Sequence, residues 1–417
     1  MTPEGWRKTC IGGVATVATG GTPRRDDPSL WGGGIPWMSS GEVHKRRVRS
    51  TDETISRRAL DISNAKLLPA NSVVLALNGQ GRTRGMSAIL EIPATCNQSL
   101  AAILPTSLID PIFLLHSLES KYAAIRAITG DGGRNGLNLA LVRSIELVLP
   151  PLPEQRKVAA ILSSVDDAIE ASQAVIDQIQ VVKKAMMAEL LTKGLPGRHK
   201  KFKQTEIGEL PEEWDLRLLD EVTTKVTDGE HLSPTLSSKG HPILSAKHIR
   251  EDQVVFQDYG LVAEEDFLRY RKRCDPMVGD VLIVSRGATI GRVHFLSQSA
   301  IPFCLMGSVI QVRPQPAVLD GAFLASFLVL DRSQRELVRA SGSSAQQAIY
   351  LAHLKKMPVP VPTLGEQEAI AGVHHRFGNR LSAESAFLSS LQALKSALMS
   401  VLLTGEVRVR VDKDAAA

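Results

Sequence analysis

Two stretches of this chain carry mostly apolar side chains at alternating steps of four and three residues. The first is Val158, Leu162, Val165, Ile169, Ser172, Ile176, Ile179, Lys183, Met186 and Leu190. The second lies 212 positions later (370 − 158) and follows the same steps without a gap: Ile370, His374, Phe377, Leu381, Glu384, Leu388, Leu391, Lys395, Leu398 and Leu402. Such spacing is the heptad seam of a helix that packs on another helix. Each copy opens with Leu-x-Glu-Gln (residues 152–155 and 364–367) and closes with Leu-Leu-Thr (residues 190–192 and 402–404). Pro153 suits a first helical turn, Glu154 faces the positive end of the helix dipole, and Thr363 with Glu366 has capping-box spacing. Gly194 and Pro196 end the first helix, and Gly405 ends the second. About 40 residues at 1.5 Å of rise make a rod of roughly 60 Å. The pattern predicts two long helices in one chain, and matching stripes are most simply buried against each other.

The remaining sequence falls into two mixed segments. Residues 1–150 carry short strand-like runs at 11–18, 72–77 and 145–149, separated by Gly, Pro and Asn turns, with one helix expected over 112–128. Residues 20–43, rich in Gly, Pro and Trp, read as a long ordered loop of the kind that serves recognition; Trp31 and Trp37 read as core residues that anchor it, with base stacking as the alternative. Residues 195–210, with Arg198, Lys200, Lys201 and Lys203, read as a flexible basic linker. Residues 211–361 repeat the plan of 1–150. Pro-Glu-Gly-Trp at 3–6 recurs as Pro-Glu-Glu-Trp at 211–214, an offset of 208 (214 − 6). Ile35-Pro36-Trp37 with Ser39 and Glu42 corresponds to His241-Pro242-Ile243 with Ser245 and His248. Residues 72–76 and Gly85 correspond to 280–284 and Gly291, and Phe113-Leu114 to Phe323-Leu324.

The domain plan is then 1–150 first head, 151–194 central helix, 195–210 linker, 211–361 second head, 362–405 C-terminal helix and 406–417 tail. The fold class is α+β: two mixed α/β domains joined by two long antiparallel coiled-coil helices, with internal pseudo-twofold symmetry. Antiparallel rods would set the heads at opposite ends, the geometry by which dimeric DNA readers contact two half-sites about 34–36 Å apart or a multiple of it. Ser172 and Glu384, polar and near the rod centres, could fix the register.

Composition bounds this picture. The chain has 417 residues, 43% of them hydrophobic and 22% charged, with net charge +5 and pI about 9.0. That balance permits a nucleic-acid partner without demonstrating one. Four scattered cysteines (Cys10, Cys96, Cys274, Cys304) with no Cys-x-x-Cys predict reduced thiols, no zinc site and a cytoplasmic setting. The N-terminus has no basic-then-apolar leader, and the apolar run at 101–118 is broken by Pro105, Asp110 and Pro111, so no membrane association is expected.

Catalytic motifs are sparse. There is no Gly-x-x-x-x-Gly-Lys-Ser/Thr, which excludes a P-loop ATPase. Pro150-Pro151 is followed by Leu152, where a base-flipping amino-methyltransferase needs an aromatic residue. Asp110 with Glu119 and Lys121 has a nuclease-like order but reads as an ordinary helix, and His374 reads as a seam residue.

Candidate DNA contacts occur in both heads. His44, Lys45, Arg46, Arg47 and Arg49, beside Ser39 and Ser40, form one basic cluster; Arg269, Arg271, Lys272 and Arg273 form another, with Lys247, His248 and Arg250 upstream. Each is either a phosphate clamp, weakened by salt, or a solvated surface. Gln80, Arg82 and Arg84 sit in a glycine-rich segment after a strand, and Ser285, Arg286, Thr289 and Arg292 in its counterpart. Glycines allow close backbone approach, and Gln and Arg suit two-pronged contacts to adenine and guanine edges; a plain glycine hairpin is the alternative. Arg134 with Asn135, and Gln346 with Gln347, lie in the last loop of each head.

Four segments together give the chain a likeness: Gly-Gly-Thr-Pro at 20–23 with Trp-Gly-Gly-Gly-Ile-Pro-Trp-Met-Ser-Ser-Gly at 31–41; Pro-Pro-Leu-Pro-Glu-Gln at 150–155; Thr-Glu-Ile-Gly-Glu-Leu-Pro-Glu-Glu-Trp at 205–214; and Thr-Asp-Gly at 227–229. The sequence resembles the specificity subunits of type I restriction-modification systems over nearly its whole length. The resemblance implies two target-recognition domains and two antiparallel spacer helices. It implies a bipartite, asymmetric double-stranded DNA site, two adenine-methyltransferase (modification) subunits and restriction subunits as partners, and no catalysis by this chain. S-adenosylmethionine, ATP and Mg2+ would be held by those partners. Gly365 departs from the proline of the first Leu-Pro-Glu-Gln, and the second head lacks Gly-Gly-Thr-Pro.

Overall fold

The structure, a computed structural model, describes residues 3–79, 81–128, 136–299, 301–339 and 348–411. It divides into two compact units, residues 1–173 with 387–417 and residues 174–386. The division falls inside both long helices, Leu152–Lys193 and Leu364–Leu402.

In the first unit a five-stranded sheet runs in the order Val17–Thr19, Leu100–Ile103, Val73–Ala76, Ser87–Leu90, Arg47–Val48. Its central strands are buried on both faces, which is why they read as unbroken apolar runs and not as an alternation. A three-stranded sheet places Trp31–Met38 between Glu53–Ile55 and Thr95–Cys96. Arg7–Cys10 pairs antiparallel with Glu146–Leu149 and so brings the head's start to its end. The helix Pro111–Ser120 covers the large sheet. Asp110 caps it, its carboxylate accepting from the Ile112 and Phe113 amides at 3.0 and 2.9 Å.

The second unit repeats these parts. A four-stranded sheet has the order Thr223–Asp228, Val309–Pro314, Val281–Val284, Val293–Phe295. A three-stranded sheet places His241–Leu244 between Gly260–Val262 and Cys304–Leu305, and Asp215–Leu218 pairs with Pro358–Val361. Asp320 caps Gly321–Leu328 as Asp110 caps its counterpart.

The long helices enter both cores. In the first unit Val158 and Leu162, near the start of one helix, share a core with Leu402 and Leu403, at the end of the other. In the second unit Met187, Leu190 and Leu191 share a core with Ile370 and Ala371. Start against end in each unit is antiparallel pairing. By length and composition the second long helix could also cross a membrane. Its two ends are instead built into cores, Ile370 at 0% exposure and Leu402 at 4%.

The repeated Glu-Gln at each helix start now has a physical account. Gln155 accepts from the Asp110 amide at 2.8 Å and donates to the Pro150 carbonyl at 2.9 Å. Gln367 does the same with Asp320 and Pro362, at 2.7 and 2.8 Å. Glu154 is buried and accepts from the Trp6 indole at 3.2 Å and from Arg408 at 2.7 and 2.8 Å. Glu366 accepts from the Trp214 indole at 3.2 Å and lies 2.9 Å from His199 Nε2. Glu therefore ties each head's tryptophan, and the segment leaving one helix, to the first turn of the other.

Several expectations need correction. Residues 20–43 are not a long loop, because Trp31–Met38 is a strand; its register shifts between Trp31 and Ile35, with Gly32 and Gly34 at φ +77° and +82° supplying the irregularity. The helix expected over 112–128 is broken at Lys121 into Pro111–Ser120 and Tyr122–Ala127. Residues 195–210 are not a free linker: Phe202–Thr205 and Gly208–Pro211 form a hairpin with Leu210 fully buried, and Lys203 donates to the Glu212 and Trp214 carbonyls at 3.0 and 2.6 Å. The described part of the 406–417 tail is held by Arg408 on Glu154. Within the first strand-like run, Ile11–Gly13 is a 3-10 turn and Val17–Thr19 the strand.

The seam holds with one shift. Val158, Leu162, Val165, Ile176, Leu190, Ile370 and Leu402 are buried. Ile169, Ile179, Phe377, Leu381, Leu388, Leu391 and Leu398 are half-buried. Met186, however, is 41% exposed, and Met187 takes the buried place at 5%. A straight helix drifts by about 20° per heptad against a 3.5-residue repeat, so the packed face moves on by a residue toward the helix end.

Candidate nucleic-acid interface

The first basic cluster is not an open clamp. Lys45 bridges Glu42 and Asp52 at 2.7 and 2.8 Å. Arg47 reaches Glu91 at 2.7 Å and Asp167 at 3.0 Å, and Arg49 shares Glu91 at 2.8 Å. Arg46 is the most committed. It pairs with Glu119 and, at 2.7 Å, with Asp166 on the first long helix. Lys395 of the second long helix joins both carboxylates, at 3.1 and 2.8 Å. Burial works against the Arg46 charge, but Glu119 and Asp166 outweigh it and raise its pKa. The Glu119 carboxyl is held far below the usual range: burial alone would raise it, and His116, Arg46 and Lys395 reverse that. Arg46, Arg47 and Lys395 fasten the head to the helices, while Lys45 and Arg49 pair within the head. His44 and, at 62% side-chain exposure, Arg49 remain on the surface.

The second basic cluster is partly committed too. Arg273 pairs with Asp228, Arg271 donates to the Phe303 carbonyl at 3.2 Å, and Arg269 pairs with Asp266; all three lie on or beside the helix Glu264–Arg273. Lys272 is exposed. His248 is 3% exposed and caps the turn after the strand His241–Leu244, its Nδ1 accepting from the Ser245 amide at 2.9 Å. Ser39 begins the matching turn in the first head, where Glu42 accepts from its amide at 2.9 Å. His248 and Ser39 are therefore structural caps, and half-buried Ser40 sits within hydrogen-bond reach of Asn97. Lys247 donates to the Asp258 carbonyl at 2.8 Å, and Arg250 is exposed.

The glycine segments remain as the candidate recognition edge of each head. Residues 81–85 and 285–291 follow buried central strands and turn sharply, with Gly79, Gly81 and Gly85, and then Gly287 and Gly291, at positive φ. Arg82 is exposed in the first turn, and Arg286 is exposed at the base of the second, where its backbone bridges Ala348. Ser285 is buried and donates to the Gly307 carbonyl at 3.3 Å, and Arg292 donates to the Ile249 carbonyl at 3.0 Å, so these two serve the frame. Thr289 is half-buried in the turn, as is Arg84. The flank of the last loop lies beside the hairpin in each head: the Leu137 amide donates to the Leu77 carbonyl at 2.9 Å, and the Ile349 amide to Ser285 at 2.9 Å. Gln80, Arg134, Asn135, Gln346 and Gln347 lie outside the described residues.

Sequence reasoning missed the groups beneath these hairpins. Tyr122 donates to the Arg82 carbonyl at 2.6 Å, and Arg126 to the carbonyls of Gly81 and Arg84. In the second unit Gln334 donates to the Gly291 carbonyl at 2.9 Å. The one available signal was Tyr122 and Arg126 at i and i+4, which share a helix face.

Other candidates resolve into frame. Trp37 is buried and donates to the Gly21 carbonyl at 3.0 Å; Trp31 packs on its edge at 5.1 Å. Asp110 and Glu119 are the cap and the ion pair described above. His374 contacts Ser326 Oγ at 2.6 Å, and burial pushes its pKa down to about 4. All four cysteines are free, with burial raising Cys96 and Cys274 to about 12 and Cys304 to about 11. Among the described residues no group of three or more His, Cys, Asp or Glu is placed to hold a metal ion.

Two strand-rich heads, each built onto a pair of antiparallel helices and each presenting a glycine hairpin, define a duplicated recognition protein. The chain belongs to the type I restriction modification DNA specificity family, whose domain it matches twice, at residues 3–181 and 211–391. It is a specificity subunit, the component that recognises DNA sequence. It is 24% identical to the type I restriction enzyme MjaVIII specificity subunit of Methanocaldococcus jannaschii, over 98% of this chain and 94% of that one. It is 28% identical to the putative MjaX specificity subunit of the same organism, over 72% and 69%. The fold is similar to that of the type I restriction-modification S subunit from M. genitalium, with TM-score 0.59, 16% identity and coverage of 95% and 96%. A chain from a type I R-M system solved for its complex assembly gives the same TM-score of 0.59, at 18% identity and coverage of 98% and 100%.

Proposed function

We propose that this specificity subunit reads a bipartite, asymmetric double-stranded DNA sequence, one half-site per head. In this reading it docks two modification subunits and the restriction subunits, and performs no catalysis itself. S-adenosylmethionine, ATP and Mg2+ belong to those partners, and the assembly works in the cytoplasm. The observation that carries the reading is the pair of unlike hairpins on like frames. Between matching glycines, Arg82 and Arg84 stand in the first turn where Ala288 and Ile290 stand in the second. The same frame with different contact chemistry is what reading two different half-sites requires.

The deciding experiment exchanges residues 1–150 for the first head of a relative and maps adenine methylation in cells carrying the modification subunits. One half of the methylated motif changes and the other stays. A change in both halves, or in neither, overturns the modular reading. Turnover by the purified chain given DNA, S-adenosylmethionine and Mg2+ overturns the non-catalytic part.

A further inference from the structure

A glycine-rich hairpin is a poor reading device by itself. Glycine loses more conformational freedom on ordering than any other residue, and a loop ordered only on contact subtracts that cost from binding. In both units the hairpin backbone is held from below by the helix that follows the buried helix of the head. In the first unit that helix is Tyr122–Ala127. The Tyr122 hydroxyl donates to the Arg82 carbonyl at 2.6 Å, and Arg126 Nη1 donates to the Gly81 carbonyl and, at 3.4 Å, to that of Arg84. Arg126 also donates to the Tyr122 hydroxyl at 3.1 Å, with its guanidinium 5.5 Å from the ring centre. The backbone of the hairpin is thus held at Gly81, Arg82 and Arg84 by two coupled side chains.

In the second unit the helix is Asp331–Arg339. Gln334 Nε2 donates to the Gly291 carbonyl at 2.9 Å and to the Leu328 carbonyl at 2.7 Å, linking the hairpin to the end of the buried helix. The fit is close at both glycines. A Cβ at Gly85 would meet Arg126 Cγ at 3.2 Å, and one at Gly291 would meet Gln334 Oε1 at 2.6 Å. The bonds that reach the hairpins all end on backbone carbonyls. They leave the exposed side chains of Arg82 and Arg286 to face outward.

We infer that Tyr122 and Arg126 in the first head, and Gln334 in the second, are positioning residues that set the shape of the reading hairpin and thereby the base preference of that head's half-site. The inference rests on the DNA-reading function proposed above. The braces differ chemically, cationic and aromatic in one head and a neutral amide in the other, so each head's preference depends on its own brace.

The test selects duplex DNA from a randomised library with the full-length chain and derives the preferred motif. The variants are Tyr122→Phe, Arg126→Ala, Arg126→Lys and Gln334→Ala. Tyr122→Phe removes only a hydroxyl and keeps the packing. Tyr122→Phe and Arg126→Ala broaden base preference in one half of the motif and weaken binding to the wild-type sequence by about tenfold, with the other half unchanged. Arg126→Lys recovers part of the loss through its remaining donor. Gln334→Ala broadens the opposite half. A wild-type motif that every variant reproduces at wild-type affinity overturns the inference and leaves the DNA-reading function standing. Equal loss in both halves, accompanied by a lower melting temperature, also overturns it, because that is a general folding defect. A wild-type chain that selects no motif removes the DNA reading itself, and the inference with it.

Discussion

Arg46 shows how far a residue's sequence neighbourhood can mislead. It stands in a run of four cations and a histidine within six positions, yet its side chain is 23% exposed and pairs with Glu119 and Asp166, carboxylates that Lys395 also joins. Arg46→Ala leaves two partly buried carboxylates with one cation between them. It is expected to cost about 3 kcal/mol in urea unfolding, as removal of one partner from a buried pair does. The slope of DNA affinity against salt should stay as in the wild type, since a residue that holds no phosphate releases no counterion. A reduced slope with unchanged stability would return Arg46 to the phosphate-clamp reading. The pH dependence has a definite sign. Glu119 is held below its ordinary value of 4.5, so its contribution is complete above about pH 4.5 and is lost as the pH falls further. His374 works in a higher window. Its folded pKa of about 4 lies below the ordinary 6.5, so the unfolded chain binds the proton first and stability falls between those values, by up to about 1.4 kcal/mol per pH unit. The matching seam position, 212 residues earlier, is Leu162. His374→Leu should abolish the fall between pH 6.5 and 4 in a series of thermal melts, and a persisting fall would assign it to another group.

At the scale of the element, the two long helices are copies whose repairs differ. Lys395 is satisfied by Asp166 and Glu119, whereas its copy Lys183 forms no ion pair among the described residues, and burial pushes its amine below the usual value. The position matching Asp166 is Gly378, where a Cβ would meet nothing within 4 Å. Gly378→Asp should restore the missing carboxylate and remove a helix-interior glycine, raising stability by about 1 kcal/mol in chemical unfolding. No gain would mean that Lys183 does not reach that turn. Near the end of the first helix, Met187→Ala is expected to cost about 2–3 kcal/mol and Met186→Ala less than about 0.5, the reverse of a strict heptad reading. The helices were legible in the sequence because an apolar period of three and four, sustained over six turns or more, fits a packed helix and little else. The strand Trp31–Met38 was not, because its glycines lack the side chains that signal a strand while its backbone still pairs on both sides. The ion-pair network was not legible either. Arg46 and Glu119 are 73 positions apart, and Lys395 and Glu119 are 276 apart, so only the folded arrangement identifies which cations are neutralised.

For the whole molecule, the consequence of duplication is that neither unit coincides with one sequence copy: the first is discontinuous, residues 1–173 with 387–417, and the second, 174–386, begins inside the first long helix. The first unit takes its closing layer, Leu402 and Leu403, and the Arg408 clasp on Glu154 from the end of the chain. The second takes Met187, Leu190 and Leu191, with His199 on Glu366, from the segment that follows the first head. Glycine-ended helices and a repeated Leu-x-Glu-Gln made the duplication readable, but not this exchange, because each Glu is completed by a residue from the other copy. A chain cut after residue 200 therefore yields a first fragment whose Val158 and Leu162 have lost the helix that covers them. About 1.5–3 kcal/mol is lost for each fully buried side chain that becomes exposed, so two or three such positions consume much of a domain's stability. Residues 1–200 expressed alone should self-associate or precipitate, whereas co-expression with residues 201–417 should restore a soluble heterodimer with cooperative melting. Sedimentation and thermal melting of both preparations decide the matter: a first fragment that is monomeric, with the melting temperature of the intact chain, would show that its head needs nothing from the C-terminal helix.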